Sequence, residues 1–215
     1  MTRMIFVRHG ESTGNETHRF YGHFDGGLTE RGRAQARATA EYLKDYKIDI
    51  AYGSDLSRAF ETGSIIAEPH GLVVIPDKEL REIYAGEWDN LLFEEIGEKY
   101  PVEFGLWKAD IWNAMPVGGE KVSDVAKRVR REVWRLAREN EGKTVLIATH
   151  ATPVRSLVCE WLGMADEQMK EINWVKNASV SIVDYDTENN TVKPVVIGEA
   201  EFLGDIATEF AKKEV

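Results

Sequence analysis

The sequence predicts an α/β fold: a three-layer α/β/α sandwich with a mostly parallel sheet, an antiparallel edge region and a small, helical, aromatic-rich excursion over the site. Three observations carry this. Short apolar runs alternate with helical periodicities along most of the chain, the pattern of parallel strands joined by right-handed crossovers. Residues 144–148, Thr-Val-Leu-Ile-Ala, are apolar without alternation, as a strand buried on both faces requires. Residues 179–185 and 191–197 do alternate and are joined by polar residues 186–190, which reads as an antiparallel hairpin.

The elements follow in order. The first strand, Met4-Ile5-Phe6-Val7, ends at Arg8-His9-Gly10-Glu11-Ser12. Residues 11–27 are polar and glycine-rich, with Asn15, His18, Phe20, Tyr21 and His23, and read as a loop about the strand's carboxyl end. Thr29 is an N-cap for a helix carrying Ala34, Ala38, Tyr42 and Leu43 at helical spacing. Residues 48–52 form a second strand ending at Ser54-Asp55, and residues 57–67 a second helix closed by Pro69 and Gly71. A third strand over residues 72–75 is stopped by Pro76.

From Leu80 to Glu120 the pattern is irregular and rich in rings: Tyr84, Trp88, Phe93, Tyr100, Phe104, Trp107 and Trp112. Short helices over 91–99 and 102–112 make this stretch a lid-like excursion, about 84–120, within a single domain spanning 1–215. After Pro116, Gly118 and Gly119 comes a long helix over 122–139, with Val122, Val125, Val129, Val133, Leu136 and Ala137 as its apolar stripe. Its arginines, on the far face, read as a solvated surface. The strand over 144–148 ends at Thr149-His150, with Pro153 where the next helix would begin. Residues 206–215 read as a frayed amphipathic helix or tail.

A chain of 215 residues suits one good core. No apolar run approaches the roughly 20 residues that span a bilayer, and the N-terminus reads as a strand rather than a signal peptide, so a cytoplasmic location is expected. The single Cys159 lies in the apolar pattern of Val154, Leu157, Val158, Trp161 and Leu162, and reads as core filler. With 37 acidic against 27 basic residues the formal charge is −10, which argues against nucleic-acid or anionic-membrane partners. Any anion site must then be a local convergence of Arg and His.

Such a convergence is predicted. In a parallel sheet covered on both faces, ligands bind beyond the carboxyl ends of the strands. Arg8-His9, Ser54-Asp55 with Arg58, and Thr149-His150 all fall there. An Arg directly before a His repels a metal cation but forks well onto phosphate oxygens. Phosphoryl transfer to an imidazole needs a neutral ring nitrogen, donors for the phosphoryl oxygens, an acid for the leaving alcohol and an in-line geometry. His9 is the candidate nucleophile; Arg8, Arg58 and His150 are the candidate cations; Glu82 or Glu11 is the candidate acid. Three cations opposing the phosphoryl charge leave no need for a metal, and no cofactor is expected.

These residues resemble the histidine phosphatase superfamily, the branch that includes the cofactor-dependent phosphoglycerate mutases. Arg8-His9-Gly10-Glu11-Ser12 with Asn15 matches its opening motif, and residues 28–36, Leu-Thr-Glu-Arg-Gly-Arg-Ala-Gln-Ala, its first-helix signature. Ser54-Asp55-Leu56-Ser57-Arg58-Ala59 with Thr62, Leu80-Arg81-Glu82-Ile83 with Gly86 and Trp88, and Thr149-His150 match the segments of its second arginine, its acid and its second histidine. The resemblance implies that His9 becomes phosphorylated, that Arg8, Arg58 and His150 hold the phosphoryl group, and that Glu82 serves as acid and then as base for water. It also implies hydrogen bonds to the phosphoryl group from Asn15 and from the backbone N–H of Ala151, which stands where the family usually has Gly. Glu11 is read as a structural partner for a nearby N–H rather than a second carboxylate of the pocket.

The mutase-type sequences carry basic residues just after the acid; here Glu82-Ile83-Tyr84-Ala85-Gly86-Glu87-Trp88 has none. The expectation is therefore a metal-independent phosphomonoester hydrolase, similar to the broad-specificity and α-ribazole phosphate phosphatases, acting on a small phosphorylated metabolite. Phe20, Tyr21, His23 and the aromatic excursion over residues 84–112 are expected to contact the substrate. The alternatives are mutase-type phosphoryl transfer, a non-catalytic phospho-ligand binder, and a metal enzyme using His9, His150 and Glu82. An open edge strand would allow a homodimer.

Overall fold

The computed structural model describes residues 1–208. Its sheet is built from β1 (Thr2–Arg8), β2 (Ile50–Gly53), β3 (Val74–Pro76), β4 (Thr144–Thr149), β5 (Val180–Asp186) and β6 (Thr191–Glu199), in the order β3-β2-β4-β1-β5-β6. The first four strands of that order are mutually parallel. β5 runs antiparallel to β1, and β6 to β5, forming the predicted antiparallel edge.

Period-two alternation in β1 divides its side chains between two cores. Met4 and Phe6 face Val145, Ile147 and the helices α6 (Val122–Glu139) and α7 (Ala151–Trp161). Ile5 and Val7 face Leu146 and the helices α2 (Glu30–Leu43) and α3 (Ser57–Ala67). The three layers follow directly.

The excursion contains α4 (Phe93–Lys99) and α5 (Pro101–Ala109). It packs through edge-on rings: Trp88 lies 5.7 Å from Phe20 and 5.8 Å from Phe104, and Trp107 lies 5.2 Å from Phe20. Such pairs are worth about 0.5–1.5 kcal/mol each beyond area burial. They pin the excursion to the loop that leaves β1.

Several boundaries differ from the sequence reading. Within the predicted loop, α1 (Thr13–Glu16) forms on a capping box: Ser12 Oγ accepts the Asn15 N–H, and Asn15 Oδ1 accepts the Ser12 N–H. β3 begins at Val74 rather than Leu72, because its pairing with β2 starts at Ala51 opposite Val74. Pro153 is the third residue of α7, where its missing N–H is still harmless. The predicted tail from Ile206 begins at the end of a 3-10 turn (Glu201–Ile206), and residues 209–215 lie outside the described residues.

The arginine face of α6 is not a plain solvated surface. Arg128 donates to the carbonyls of Glu79 (2.7 Å) and Arg81 (3.0 Å) and pairs with Glu120 at 2.8 Å, while Arg130 pairs with Asp166. Glu120 lies just before the helix and the other partners are distant in sequence, so a helical wheel does not show them.

Candidate active site

Strand register builds the site. Arg8 lies opposite Thr149 in the β1–β4 pair, and the His9 N–H donates to Thr149 O at 2.9 Å. The two histidines that follow those strands are therefore neighbours, with ring centroids 5.2 Å apart. Ser54, one residue past β2, donates its N–H to Ala148 O and arrives on the same edge.

His9 Nδ1 lies 2.7 Å from Gly10 O. A carbonyl can only accept, so Nδ1 carries the proton and Nε2 keeps its lone pair. Burial, then the charges of Arg58 and Arg8, push the His9 ring well below its ordinary pKa and hold it neutral. Gly10 has no room for a side chain: a Cβ there would fall 2.4 Å from Gly32 O. Loop and α2 backbone thus meet directly beneath the histidine.

Arg58, buried on the first turn of α3, donates to Gly22 O (2.8 Å) and Phe24 O (3.0 Å). Arg8 donates to Val175 O at 2.6 Å. Burial lowers both guanidinium pKa values, Arg8 to about 10, and Glu82 acts against that lowering in each case. Both remain charged at neutral pH. His150 does not, because burial and then Arg58 push it well below its ordinary value. The sequence reading of three cations thus becomes two guanidinium charges and one neutral ring.

Glu82 faces this cluster. Its Oε1 accepts the Ile83 N–H at 2.9 Å, and its Oε2 accepts the N–H groups of Ala151 (3.1 Å) and Thr152 (3.3 Å), which open α7. The Ala151 N–H assigned to a phosphoryl oxygen is therefore held by Glu82 in this structure. Ala151 lies in the first turn of α7 and is not among the residues of positive φ, so glycine's freedom is not needed there. His23 Nε2 donates to Glu82 O at 3.0 Å, and Arg128 reaches the same carbonyl at 3.3 Å.

The cleft, about 140 Å³, has Arg8, His9, Arg58 and Glu82 in its lining, together with Asn15, Ala151 and Thr152. Asn15 Oδ1 accepts from Ser12 and from Asn177 Nδ2, which leaves the amide N–H₂ for a ligand. Phe20, Tyr21, Phe93, Trp107 and Trp174 supply aromatic wall, and Arg19 adds a charge. His23 is not part of that lining; it supports Glu82 instead, and its ring packs on Tyr84. His150 is fully buried beside His9, with ring centroids 5.2 Å apart, and is not in that lining. Glu11 is a structural partner: it accepts from the hydroxyls of Thr29 at 2.8 Å and Thr208 at 3.4 Å, and pairs with Arg31 at 3.6 Å. Among the described residues no group of three His, Cys, Asp or Glu side chains is arranged to hold a metal ion.

Sequence reasoning missed Arg19, Thr152 and Trp174 in the cleft. It also missed Asp89, whose carboxylate accepts the N–H groups of Gly22, His23 and Phe24 and so shapes the loop that Arg58 grips. Nothing local marks these residues. Asp89 directly after Trp88 was the nearest signal, an acid at the end of a recognised motif.

This fold and this cluster define a phosphoryl-handling enzyme class, and the comparisons identify it. The sequence model of the histidine phosphatase superfamily (branch 1) matches residues 4–197, and the chain belongs to that superfamily. It is 33% identical over 192 residues to phosphoserine phosphatase 1 of Hydrogenobacter thermophilus, covering 89% of this chain and 90% of the relative. It is 32% identical over 208 residues to a 2,3-bisphosphoglycerate-dependent phosphoglycerate mutase of Parvibaculum lavamentivorans, covering 92% and 97%. Among solved structures it is similar to the α-ribazole phosphatase of Shigella flexneri, with a TM-score of 0.82, 26% identity and coverage of 92% and 96%.

Proposed function

We propose that this protein hydrolyses small phosphomonoesters through a phosphohistidine on His9 Nε2, without a metal. The observation that carries the reading is the Nδ1–H···O=C bond to Gly10, which aims an unprotonated Nε2 of a neutral ring into a cleft lined by two guanidinium groups and a carboxyl. In the first step the Nε2 lone pair attacks phosphorus, the N–P bond forms and the P–O ester bond breaks. Glu82, protonated at that stage, gives its proton to the departing alkoxide. In the second step Glu82, now a carboxylate, takes a proton from water as its oxygen attacks phosphorus. The N–P bond breaks and its electron pair returns to Nε2. Arg8, Arg58, His150 and the Asn15 amide hold the phosphoryl oxygens in both steps.

The names of the relatives include both phosphatase and mutase. A mutase must hold a second phosphoryl group close to the acid, and the stretch from Glu82 to Trp88 carries no Lys or Arg. Hydrolysis is therefore favoured, on substrates whose uncharged or partly apolar body lies against the aromatic wall. A panel of phosphomonoesters assayed in chelator tests this, with His9→Ala expected to bind inorganic phosphate and turn nothing over. Phosphate exchange on 3-phosphoglycerate primed with 2,3-bisphosphoglycerate, with negligible hydrolysis, would overturn it, as would an active His9→Ala. A location in the cytoplasm is part of the same proposal; no helix among the described residues is long and apolar enough to cross a membrane. A homodimer through one of the two sheet edges, β3 or β6, belongs to the same proposal.

A further inference from the structure

Ser54 lies between β2 and α3, and its backbone is tied to Ala148 O, one residue before the end of β4. That tie brings Ser54 Oγ to 2.7 Å from His150 Nε2, and both residues are wholly buried. The same Oγ accepts the Leu56 N–H at 3.3 Å. Among the described residues, His150 Nε2 is then the one acceptor for the hydroxyl proton. On the other side of the ring, Nδ1 is buried with no protein partner among the described residues.

Two neutral tautomers have to be compared. If Nε2 carried the proton and donated to Ser54, the hydroxyl proton would have no acceptor and Nδ1 would hold an unused lone pair, both in the interior. If Ser54 donates to Nε2, the hydroxyl is satisfied in both senses, and a single group, Nδ1–H, lacks a partner. Leaving one fewer buried polar group unmet biases the equilibrium by about tenfold or more.

We propose that Ser54 is a positioning residue: by donating to His150 Nε2 it holds the ring as the Nδ1–H tautomer, so that Nδ1–H donates to the phosphoryl group held at His9. This rests on the phosphohistidine reading for the identity of the acceptor. The two rings, 5.2 Å apart, are close enough for one phosphoryl group on His9 to meet both. An uncharged donor directs an oxygen without adding a third full positive charge that would retain the phosphate product. The same tie gives a reason for a serine just past β2, which the sequence placed at the site edge without a role.

Nitrogen-15 spectra of protein labelled at histidine read the tautomer directly. The expected result is a pyrrole-type Nδ1 and a pyridine-type Nε2 for His150 near neutral pH, with added inorganic phosphate shifting the Nδ1 signal. A protonated Nε2 with a bare Nδ1, an imidazolium, or an Nδ1 signal indifferent to phosphate would overturn the inference. Ser54→Ala is expected to mix the tautomers and to lower kcat/KM about tenfold or more, while Ser54→Thr keeps the wild-type tautomer and most of the activity. A serine that only filled space would change stability and leave the tautomer alone. Should Ser54→Ala not fold, the wild-type and Ser54→Thr spectra decide. The expected tautomer in a protein that hydrolyses nothing would sink the phosphohistidine reading and leave the Ser54–His150 assignment standing; the reverse tautomer in an active phosphatase would sink this inference alone.

Discussion

Replacing Glu82 by Gln separates the acid's chemistry from its place in the fold. The carboxylate serves three backbone N–H groups, one at Ile83 and two at the start of α7. A glutamine has one acceptor oxygen, so whichever way the amide turns, an N–H₂ faces a backbone N–H. A lost buried bond costs about 1–3 kcal/mol, and removing a negative charge from a helix N-terminus about 0.3–1 kcal/mol. A total near 2 kcal/mol lowers the melting midpoint by roughly 4–8 °C in a chain of this size. The chemical loss is larger, about 10²–10⁴ in kcat for a general acid–base. An alkyl phosphate and p-nitrophenyl phosphate distinguish the two steps. A nitrophenolate leaves without protonation, so rapid-quench assays of Glu82→Gln should retain a burst of nitrophenol followed by slow turnover, whereas the alkyl ester should lose the burst as well. Equal losses on both substrates in the first turnover, or kcat within about threefold of wild type, would refute the acid–base role.

Acidification tests the buried histidine. The His9 pKa is depressed in the folded protein, so below about pH 6.5 the unfolded chain binds a proton that the folded one does not, and stability is lost as pH falls. Urea titrations at pH 6 and pH 5 should show wild type losing about 1 kcal/mol per pH unit more than His9→Asn; equal slopes would mean that the ring is not held neutral. Asp77 has the opposite sign. Burial, then the neighbouring Glu132, raises its pKa to about 6, so between about pH 4 and pH 6 the folded protein holds a proton that the unfolded chain has released. Stability falls as pH rises through that window. Asp77→Asn, which keeps the oxygen that accepts the Glu79 N–H, should melt higher than wild type at pH 8 and equal to it at pH 4; a lower midpoint at pH 8 would contradict the sign. Gly32→Ala would place a Cβ 2.0 Å from Glu11 O and should cost about 2–3 kcal/mol together with most of the activity, whereas Gly27→Ala, with nothing within 4 Å, should cost little of either. Comparable thermal shifts for the two would show that the backbone contact beneath His9 is unimportant.

The layer order and the site edge were legible because both follow from hydrophobic period. Residues 144–148 could only be a doubly buried strand, and once β4 was central, Arg8, Arg58 and His150 had to share an edge. Roles that arise from folding geometry were not legible. His23 looked like a substrate contact because it is a polar ring in a loop near the motif; only tertiary packing turns its Nε2 to the Glu82 carbonyl. Arg128 looked like one of several solvated arginines, since the carbonyls it holds lie more than 40 residues away in sequence. His150 was counted as a cation because its charge state depends on burial, which composition does not reveal.

The same distinction explains how an acidic chain binds a phosphate dianion. Arg3, Arg33, Arg81, Arg128 and Arg130 are each matched to a carboxylate, Asp184, Glu61, Asp55, Glu120 and Asp166 respectively, and each such pair is close to neutral when viewed from a distance. Arg58 is built differently. Its hydrogen bonds go to the carbonyls of Gly22 and Phe24, which fix its direction without a direct ion pair; Glu82, Asp25 and Asp89 favour its charge without hydrogen-bonding it, and burial makes that charge costly to maintain. A bound dianion relieves that cost in a cleft screened from water, where the attraction is stronger than at the surface. Net charge therefore says little about whether this molecule binds anions. In the proposed site Arg58 is positioned by backbone dipoles rather than by a paired acid, and the loop that supplies those dipoles is itself held by Asp89, one residue past Trp88.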